Sequence, residues 1–233
     1  MGIVIFCDDR DQLEFDAFVL RQAGFQPATA TNEERFLSMC EDEGPDLVVI
    51  DVNSKEMDVL SLIARLRSDS DVLMMLVSPE REEEHMLKAL ELGADDYLVK
   101  PHSPRMLAAR ARNLLKRARP IPLSALGPVT IHNVTLDPEE RLVVTEQGST
   151  VRLTNLEFRL LFLLMRNPDR VIPSETIVER VWGYAGSGEV TLVKNLVSRL
   201  RHKVEPDPAS PRYIKTIPGI GYSFSPQEEG ETG

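Results

Sequence analysis

The sequence predicts two domains of different fold class: an α/β domain with a doubly wound parallel sheet, followed by an α+β domain. In the first half, short apolar runs alternate with segments of helical spacing, which is typical of a parallel sheet covered by helices. In the second half, several short strands precede three helical segments and a hairpin. Residues 119–128 hold three prolines and a glycine, and we expect them to form an interdomain linker.

The elements of the first domain, residues 1–118, are predicted from the spacing of apolar side chains. Short apolar runs that predict buried strands lie at Ile3–Cys7, Leu47–Ile50, Val72–Val77 and Tyr97–Val99. Segments with helical spacing lie at Leu13–Ala23, Met86–Leu92 and Met106–Arg117. In a sheet of this kind, ligands bind beyond the carboxyl ends of the strands.

The second domain, residues 129–226, begins with short antiparallel strands across Val129–Leu153. Thr154 and Glu157 have the spacing of a capping box, which predicts the start of a strongly apolar helix. Ser174 is expected to cap a second helix that runs to about residue 182, and a third helix is predicted over about 190–205. Residues 213–224 then predict a β-hairpin with its turn at 218–221, and residues 227–233 form an acidic tail.

Composition and charge narrow the class of protein. The 233 residues are 42% hydrophobic, which is enough for a packed core. No apolar run approaches the roughly 20 residues that span a bilayer, and the first residues lack the basic flank of a signal peptide. The two cysteines, Cys7 and Cys40, have neither metal-site nor disulfide spacing and are expected to be inert buried thiols. These features predict a cytoplasmic protein with no membrane partner.

The net charge of −10 is uneven along the chain. Residues 1–118 contain 14 basic and 23 acidic residues, a net of −9, which leaves −1 for the rest. This asymmetry fits an acidic regulatory half and a second half that meets nucleic acid.

Polar side chains follow the predicted parallel strands. Asp8 and Asp9 follow the first strand, Asp51 follows the run at 47–50, and Ser78 and Lys100 follow the last two. Because these strand ends meet at one edge of the sheet, three carboxylates would lie close together and would need a cation such as Mg²⁺. One carboxylate could then act as a nucleophile towards a phosphoryl group, whose oxygens a lysine and a serine could bind.

This arrangement, together with Gly-Ala-Asp-Asp-Tyr at 93–97 and Lys-Pro at 100–101, resembles the flavodoxin-like receiver domain of two-component response regulators. The resemblance implies that Asp51 is the phosphoacceptor for a sensor histidine kinase and that the Lys100–Pro101 bond is cis. It implies a Mg²⁺ site formed by Asp8, Asp9, Asp51 and the Asn53 backbone carbonyl. It implies that the switch and phosphate-binding residues are Ser78, Tyr97 and Lys100.

Alternatives remain open at the sequence level. Acids at strand ends can simply be solvated. Lys55, Val59 and Pro79 depart from the usual receiver pattern, so the receiver could instead be a constitutive dimerisation or interaction module. An enzyme is not predicted: a dehalogenase-like phosphatase needs a second aspartate at position 53, where Asn53 stands, and the chain has no Gly-rich phosphate loop.

The helix predicted near 190–204 has basic residues and no acid. An apolar stripe at helical spacing lies opposite a polar face that includes Lys194 and Arg201, which suits the DNA major groove. An ordinary solvated amphipathic helix has the same pattern. The segments at 181–184, 197–201 and 219–222 resemble the winged-helix effector domain of the OmpR/PhoB family.

That resemblance implies binding to double-stranded promoter DNA, contact with RNA polymerase through the loop at 183–189, and a homodimer formed by the receiver. The implied DNA contacts are Trp182, Thr191, Lys194, Asn195, Ser198, Arg199, Arg201 and Thr216, with Lys194 and Arg199 as base readers. The implied dimer surface contains Lys88, Glu91, Asp95, Asp96, Arg110 and Arg117, with an Asp96–Arg110 pair across the interface. Departures at 191–196 and Pro218 predict a target sequence unlike that of familiar members.

Overall fold

A computed structural model describes residues 2–54, 57–118, 127–131, 133–183 and 190–225. The chain divides into two compact units, residues 1–119 and 120–233. Most of the expected linker, the acidic tail and Lys55 lie outside the described residues, so the linker and tail remain predictions.

The first unit alternates strands and helices. Its strands are β1 Ile3–Cys7, β2 Pro27–Ala30, β3 Leu47–Asp51, β4 Leu73–Ser78 and β5 Asp96–Val99. Its helices are α1 Arg10–Gln22, α2 Glu33–Glu43, α3 Val59–Asp69, α4 Glu83–Leu92 and α5 Pro104–Ala118. All strand pairs are parallel and the order is β2-β1-β3-β4-β5, which confirms the doubly wound α/β prediction.

The central strands of this sheet hold the core. Every residue of β1, β3 and β4 is buried, as expected for a parallel sheet covered on both faces. The four predicted strands are confirmed, with ends that differ by a residue or so. The short β2 and the helices α2 and α3 were not predicted. The Lys100–Pro101 peptide bond is cis, as the resemblance implied.

The second unit has two antiparallel sheets and three helices. The first sheet contains β6 Val129–Ile131, β7 Val134–Asp137, β8 Leu142–Val144 and β9 Thr150–Arg152, in that order. The helices are α6 Asn155–Met165, α7 Ser174–Val181 and α8 Val190–Val204. The second sheet has the order β10-β12-β11, from β10 Ile172–Pro173, β11 Ile214–Ile217 and β12 Gly221–Phe224.

Local chemistry explains how these helices begin. Thr154 and Glu157 form the predicted capping box at the start of α6. The prediction that Ser174 caps α7 is wrong, because Ser174 is the first helical residue and Pro173 is the N-cap, without a side-chain hydrogen bond. Pro173 pairs with Gly221 of β12, so the strand runs directly into the helix. A β-carbon at Gly221 would lie 2.0 Å from the Ile172 carbonyl oxygen, which explains a glycine there.

The hairpin of β11 and β12 is the predicted wing. Its strands are anchored by Glu205, whose buried carboxylate accepts hydrogen bonds from the backbone N–H groups of Arg212, Tyr213 and Ile214 at 2.7–3.1 Å. Within the described residues, no helix has both the length and the apolar character needed to cross a membrane.

Candidate functional site

Asp51 is the last residue of β3, and its side chain is completely buried. The Lys100 ammonium follows β5, which is separated from β3 by β4, and forms an ion pair with Asp51 Oδ1. It also donates to the Val52 carbonyl oxygen at 3.2 Å and to Asn53 Oδ1 at 2.6 Å. The sheet edge therefore holds a carboxylate beside a fixed cation, as the strand-end argument predicted.

Asp8 brings a second carboxylate to this edge. Its two oxygens accept hydrogen bonds from the backbone N–H groups of Asn53 and Ser54, both at 2.9 Å. These bonds join the end of β1 to the loop that follows β3. The loop thereby orients the Asp8 carboxylate, which remains exposed to solvent.

Asp9 does not join the pocket, and Cys7 takes the place expected for it. Asp9 is exposed, and its Oδ1 accepts the Gln12 backbone N–H at 2.8 Å as the N-cap of α1. Cys7 is the register partner of Asp51, and its Sγ lies 3.8 Å from Asp51 Oδ1 and 3.9 Å from Asp8 Oδ1. Burial raises the pKa of the Cys7 thiol to about 12, so the group beside the two carboxylates is neutral.

Asp16 is a pocket residue that the sequence prediction missed. It lies on α1 with no exposed surface, and Gln12 Nε2 donates to its Oδ1 at 2.9 Å. Burial, followed by the contact with Asp16, raises the pKa of Asp51 well above its usual range despite the opposing effect of Lys100. The sequence contained a signal for this residue, because Asp16 is an acid on the same buried face of α1 as Leu13, Ala17 and Leu20.

The two predicted switch residues lie near the ends of β4 and β5. Ser78 is almost fully buried, and its Oγ accepts the Glu80 backbone N–H at 3.1 Å. Tyr97 is also buried, and its hydroxyl donates to the Glu80 carbonyl oxygen at 2.9 Å. His85 Nδ1 lies 3.3 Å from that hydroxyl, so α4 contacts the tyrosine as well. Tyr97 therefore faces inwards.

The donor set at this edge fits a Mg²⁺ ion held by two carboxylates. Within the described residues, no group of three or more histidine, cysteine and acidic side chains is arranged as a metal site. Mg²⁺ sites in proteins commonly use only one or two carboxylates and keep several waters. Asp8 and Asp51 supply two, and the Asn53 carbonyl can add a third oxygen. Asp51 Oδ2 is buried and accepts no hydrogen bond, so it has ligand capacity to spare.

The helix α8 has one buried and one accessible face, as its sequence predicted. Its buried apolar residues are Leu192, Val193, Leu196, Val197, Leu200 and Val204. Lys194 is exposed, and Thr191 and Ser198 are partly exposed on the other face. Lys194 and Thr216 line a groove of about 540 Å³ between α7, α8 and the wing, together with Ser174, Ile220 and Tyr222.

Arg201 binds the wing of its own domain. Its Nε and Nη2 donate to the Ile214 carbonyl oxygen at 3.1 and 2.6 Å, and Nη2 also donates to Thr216 Oγ1 at 2.8 Å. The guanidinium lies 6.0 Å from the Tyr222 ring centre. Arg201 therefore joins α8 to the hairpin, and its contact with DNA stays a prediction.

Three other predicted DNA contacts are buried or partly buried. Trp182 is 1% exposed, and Asn195 is 5% exposed with its Nδ2 donating to the Thr191 carbonyl oxygen at 2.9 Å. Arg199 Nε and Nη1 are buried. Burial would raise the pKa of Glu157, but Arg199 and Lys203 outweigh it and lower that pKa, which places the Arg199 charge near an internal carboxylate. Trp182 and Asn195 are therefore directed into the domain, whereas Arg199 is partly exposed, and the DNA contacts of all three stay predictions.

Both halves match known families. The family described as "Response regulator receiver domain" matches residues 3–112, and "Transcriptional regulatory protein, C terminal" matches residues 148–224. The DNA-binding response regulator MtrA of Mycolicibacterium smegmatis is 36% identical over 225 residues, which cover 96% of each chain. The chain belongs to the OmpR/PhoB family of DNA-binding response regulators.

Other relatives of this response regulator agree. The sensory transduction protein RegX3 of Mycobacterium bovis is 35% identical over 225 residues, covering 96% of this chain and 99% of the relative. The solved structure of a RitR mutant has a TM-score of 0.76 and 24% identity, and covers 97% of this chain and 99% of that one. That second likeness shows a shared fold.

Two residues of the expected dimer surface are buried within this chain. Asp96 is fully buried and forms an ion pair with Arg110 of the same chain, whereas the homodimer itself stays a prediction. Asp95 is also buried and pairs with Arg67 at 2.9 Å. Both aspartates lie at the start of β5 and pair with arginines of α3 and α5.

The remaining predicted surface residues are only partly described. Lys88 and Glu91 are exposed on α4, and Lys88 pairs with Glu84 at 2.8 Å. The side chain of Arg117 lies outside the described residues, as does the 184–189 part of the loop expected to touch RNA polymerase.

Proposed function

We propose that this response regulator binds double-stranded promoter DNA through α8 and its wing, and that phosphorylation of Asp51 by a sensor histidine kinase controls this binding. The observation that carries the proposal is the Asp51–Lys100 ion pair at the carboxyl edge of the sheet. A buried carboxylate beside a fixed cation is an arrangement suited to accept a phosphoryl group and to bind its oxygens.

The pocket residues have distinct roles in this transfer. An Asp51 oxygen attacks phosphorus, so an O–P bond forms at Asp51 while the bond to the donor breaks. Lys100 moves from the carboxylate to a new phosphoryl oxygen, and Ser78 Oγ, now bound to the Glu80 N–H, turns towards another. Asp8, Asp51 and the Asn53 carbonyl would hold Mg²⁺, which supplies positive charge to the transferred group.

The switch in this proposal passes through the β4–α4 loop. Ser78 and Tyr97 share Glu80 as a backbone partner, because its N–H binds the serine and its carbonyl binds the tyrosine. When Ser78 releases that N–H, the loop and the His85 end of α4 lose one restraint. The receiver then pairs with a second copy through the α4 surface, which includes Lys88 and Glu91.

DNA recognition rests on the accessible side of α8 in this proposal. Lys194 is its exposed cation next to the wing groove, with Thr191 and Ser198 beside it. Thr216 supplies a contact from the wing. Promoter-bound dimers would meet RNA polymerase through the loop at 183–189.

Phosphoryl transfer is tested by labelling the full chain with acetyl phosphate and Mg²⁺. Asp51→Asn should abolish labelling, whereas Asp9→Asn should leave it intact, because Asp9 caps α1 away from the pocket. Equal labelling of wild type and Asp51→Asn would contradict the assignment of Asp51.

DNA recognition is tested by selecting genomic fragments and measuring affinity at several salt concentrations. Lys194→Ala should weaken binding and, for a phosphate contact, reduce the salt slope by about one. Arg170→Ala, which removes an exposed cation outside α8, is the matched control and should bind as wild type does. If both variants bind alike, α8 is not the reading element.

A second candidate function keeps DNA binding but makes it independent of phosphorylation. The Cys7 thiol beside Asp51 favours it, because it adds no oxygen ligand for the Mg²⁺ ion that phosphoryl transfer would use. Under this alternative, Asp51→Asn leaves DNA affinity unchanged in the presence of acetyl phosphate, and the wild type takes up no label.

A further inference from the structure

We infer that Cys7 determines the Mg²⁺ affinity of the receiver pocket and keeps it low, because a neutral thiol ends β1 where a third carboxylate would complete the site. The inference rests on the proposed function of the pocket, since it concerns the ion that phosphoryl transfer would use.

The position of the sulfur carries the argument. Cys7 is fully buried and pairs in register with Asp51, so the two side chains leave adjacent strands at the same level of the sheet. Its Sγ lies 3.8 Å from Asp51 Oδ1 and 3.9 Å from Asp8 Oδ1. The thiol is thus in contact with both carboxylates that would ligate the ion.

The chemistry of the thiol sets the direction of the effect. Mg²⁺ is a hard ion that takes oxygen ligands, whereas sulfur suits softer metals. The Asn53 side-chain amide also points its Nδ2 at Sγ, 3.8 Å away, so the sulfur orients a neighbour of the pocket without supplying charge. Asp8 and Asp51 would therefore be the two carboxylates available to hold the ion.

A carboxylate at residue 7 would change that balance. Three acids in mutual contact repel each other strongly unless a divalent ion joins them. The bound ion would relieve most of this repulsion, and the relief adds to the binding free energy of the ion. Cys7→Asp should therefore bind Mg²⁺ at least about tenfold more tightly than the wild type. Cys7→Asn has nearly the same shape without the charge and should bind about as the wild type does.

The experiment is a Mg²⁺ titration of the full chain followed by the backbone amide NMR signals of Asn53 and Ser54, which bind Asp8. Asp8→Asn is measured alongside and should lose binding. A tenfold or larger gain in Cys7→Asp, with Cys7→Asn near wild type, supports the inference. If Cys7→Asp binds as the wild type does while Asp8→Asn loses binding, the Cys7 inference is overturned and the proposed metal site stands.

Two further results show whether the inference about Cys7 fails alone or together with the proposed metal site. If neither the wild type nor Asp8→Asn responds to Mg²⁺, and Cys7→Asp does not either, the metal part of the proposed function fails together with the inference. If Cys7→Asp is less stable than the wild type, thermal unfolding with and without saturating Mg²⁺ still reports binding, because an ion that binds the folded state raises the melting temperature. A Cys7→Asp chain whose melting temperature is no more responsive to Mg²⁺ than that of Cys7→Asn also overturns the inference.

Discussion

Glu157→Gln should destabilise the effector domain by about 2 kcal/mol. The Glu157 carboxylate is 2% exposed, and its Oε2 accepts the Thr154 backbone N–H at 2.9 Å and the Lys203 ammonium at 2.7 Å. Hydrogen bonds to a charged group contribute roughly 1.5–3 kcal/mol each, whereas an amide keeps only a weaker acceptor. The Lys203 ion pair contributes less free energy than a fully buried one, because that side chain is about one-third exposed and solvent screens its charge.

The pH dependence of this loss follows from the direction of the pKa shift. The folded-state pKa of Glu157 is lowered, since Arg199 and Lys203 outweigh the opposing effect of burial. A lowered pKa stabilises the folded state above the unfolded pKa, near 4.5, and this stability is lost as the pH falls through the folded value. The difference between wild type and Glu157→Gln should be full at neutral pH and should shrink below that point.

Urea unfolding followed by tryptophan fluorescence measures this difference directly. Trp182 is the only tryptophan of the chain and is buried in the effector domain, so its emission reports that domain. A loss of about 2 kcal/mol lowers the urea midpoint by about 1 M. Glu175→Gln, at an exposed position in the first turn of α7, should leave the midpoint unchanged. An unchanged urea midpoint for Glu157→Gln would refute the reasoning. So would a stability difference between wild type and Glu157→Gln that stays as large below the unfolded pKa of Glu157 as at neutral pH.

Three further predictions concern the packing of both domains. Arg110→Ala leaves the buried Asp96 without its ion-pair partner and should destabilise the receiver by about 3 kcal/mol, measured by circular dichroism during thermal unfolding. Gly221→Ala forces a β-carbon against a backbone carbonyl and should cost at least about 2 kcal/mol by tryptophan fluorescence; a stable variant would show that the strands can separate. A thiol reagent should modify Cys40 slowly in the native chain and Cys7 only after denaturation, because Cys7 is the fully buried one; two equally reactive thiols would contradict its burial.

The elements that the sequence predicted well are those whose burial is uniform. The strands β1, β3 and β4 are buried along their whole length, so an unbroken apolar run identifies each of them. The strand β2 was missed because Pro27–Ala30 is short and mostly half-buried, and α2 because Phe36 is its only fully buried residue among those described. A short, half-buried segment gives neither an unbroken apolar run nor a clear apolar stripe, so its pattern is too weak to identify it.

Part of the pocket was predicted from the sequence, whereas Asp9 lies elsewhere and Asp16 was missed. Asp8, Asp51 and Lys100 meet as the strand-end rule requires, but that rule does not say which of consecutive polar residues ends the strand and which caps the next helix. The spacing of Asp9 and Gln12 is that of a helix N-terminus, and Asp9 indeed caps α1. That local signal places Cys7, and not Asp9, beside Asp51.

The DNA-binding helix shows a different limit of sequence patterns. The polar face of α8 was predicted, but Arg201 uses its donors on the Ile214 carbonyl, and Arg199 lies near Glu157. Both partners come from other elements of the fold, and a long basic side chain can turn either to them or to solvent. Helical spacing predicts the direction in which a side chain leaves the helix, whereas the hydrogen-bond or ion-pair partner determines where an arginine guanidinium lies.

The buried aspartates of the receiver differ in the groups that they contact. The buried aspartates of the described receiver residues are Asp16, Asp51, Asp95 and Asp96, and the cations paired with them are Lys100, Arg67 and Arg110. The hydrogen bond shown to Asp16 comes from the neutral Gln12 amide. Asp16 is thus a second buried acid next to Asp51, and after burial its contact is the next cause that raises the pKa of Asp51. A phosphoryl group at Asp51 would add further negative charge there, so a positive ion becomes more necessary on phosphorylation. If Cys7 keeps Mg²⁺ affinity low, as we infer, phosphorylation of Asp51 would depend on the supply of Mg²⁺, because the pocket would need the ion most when the phosphoryl group is present.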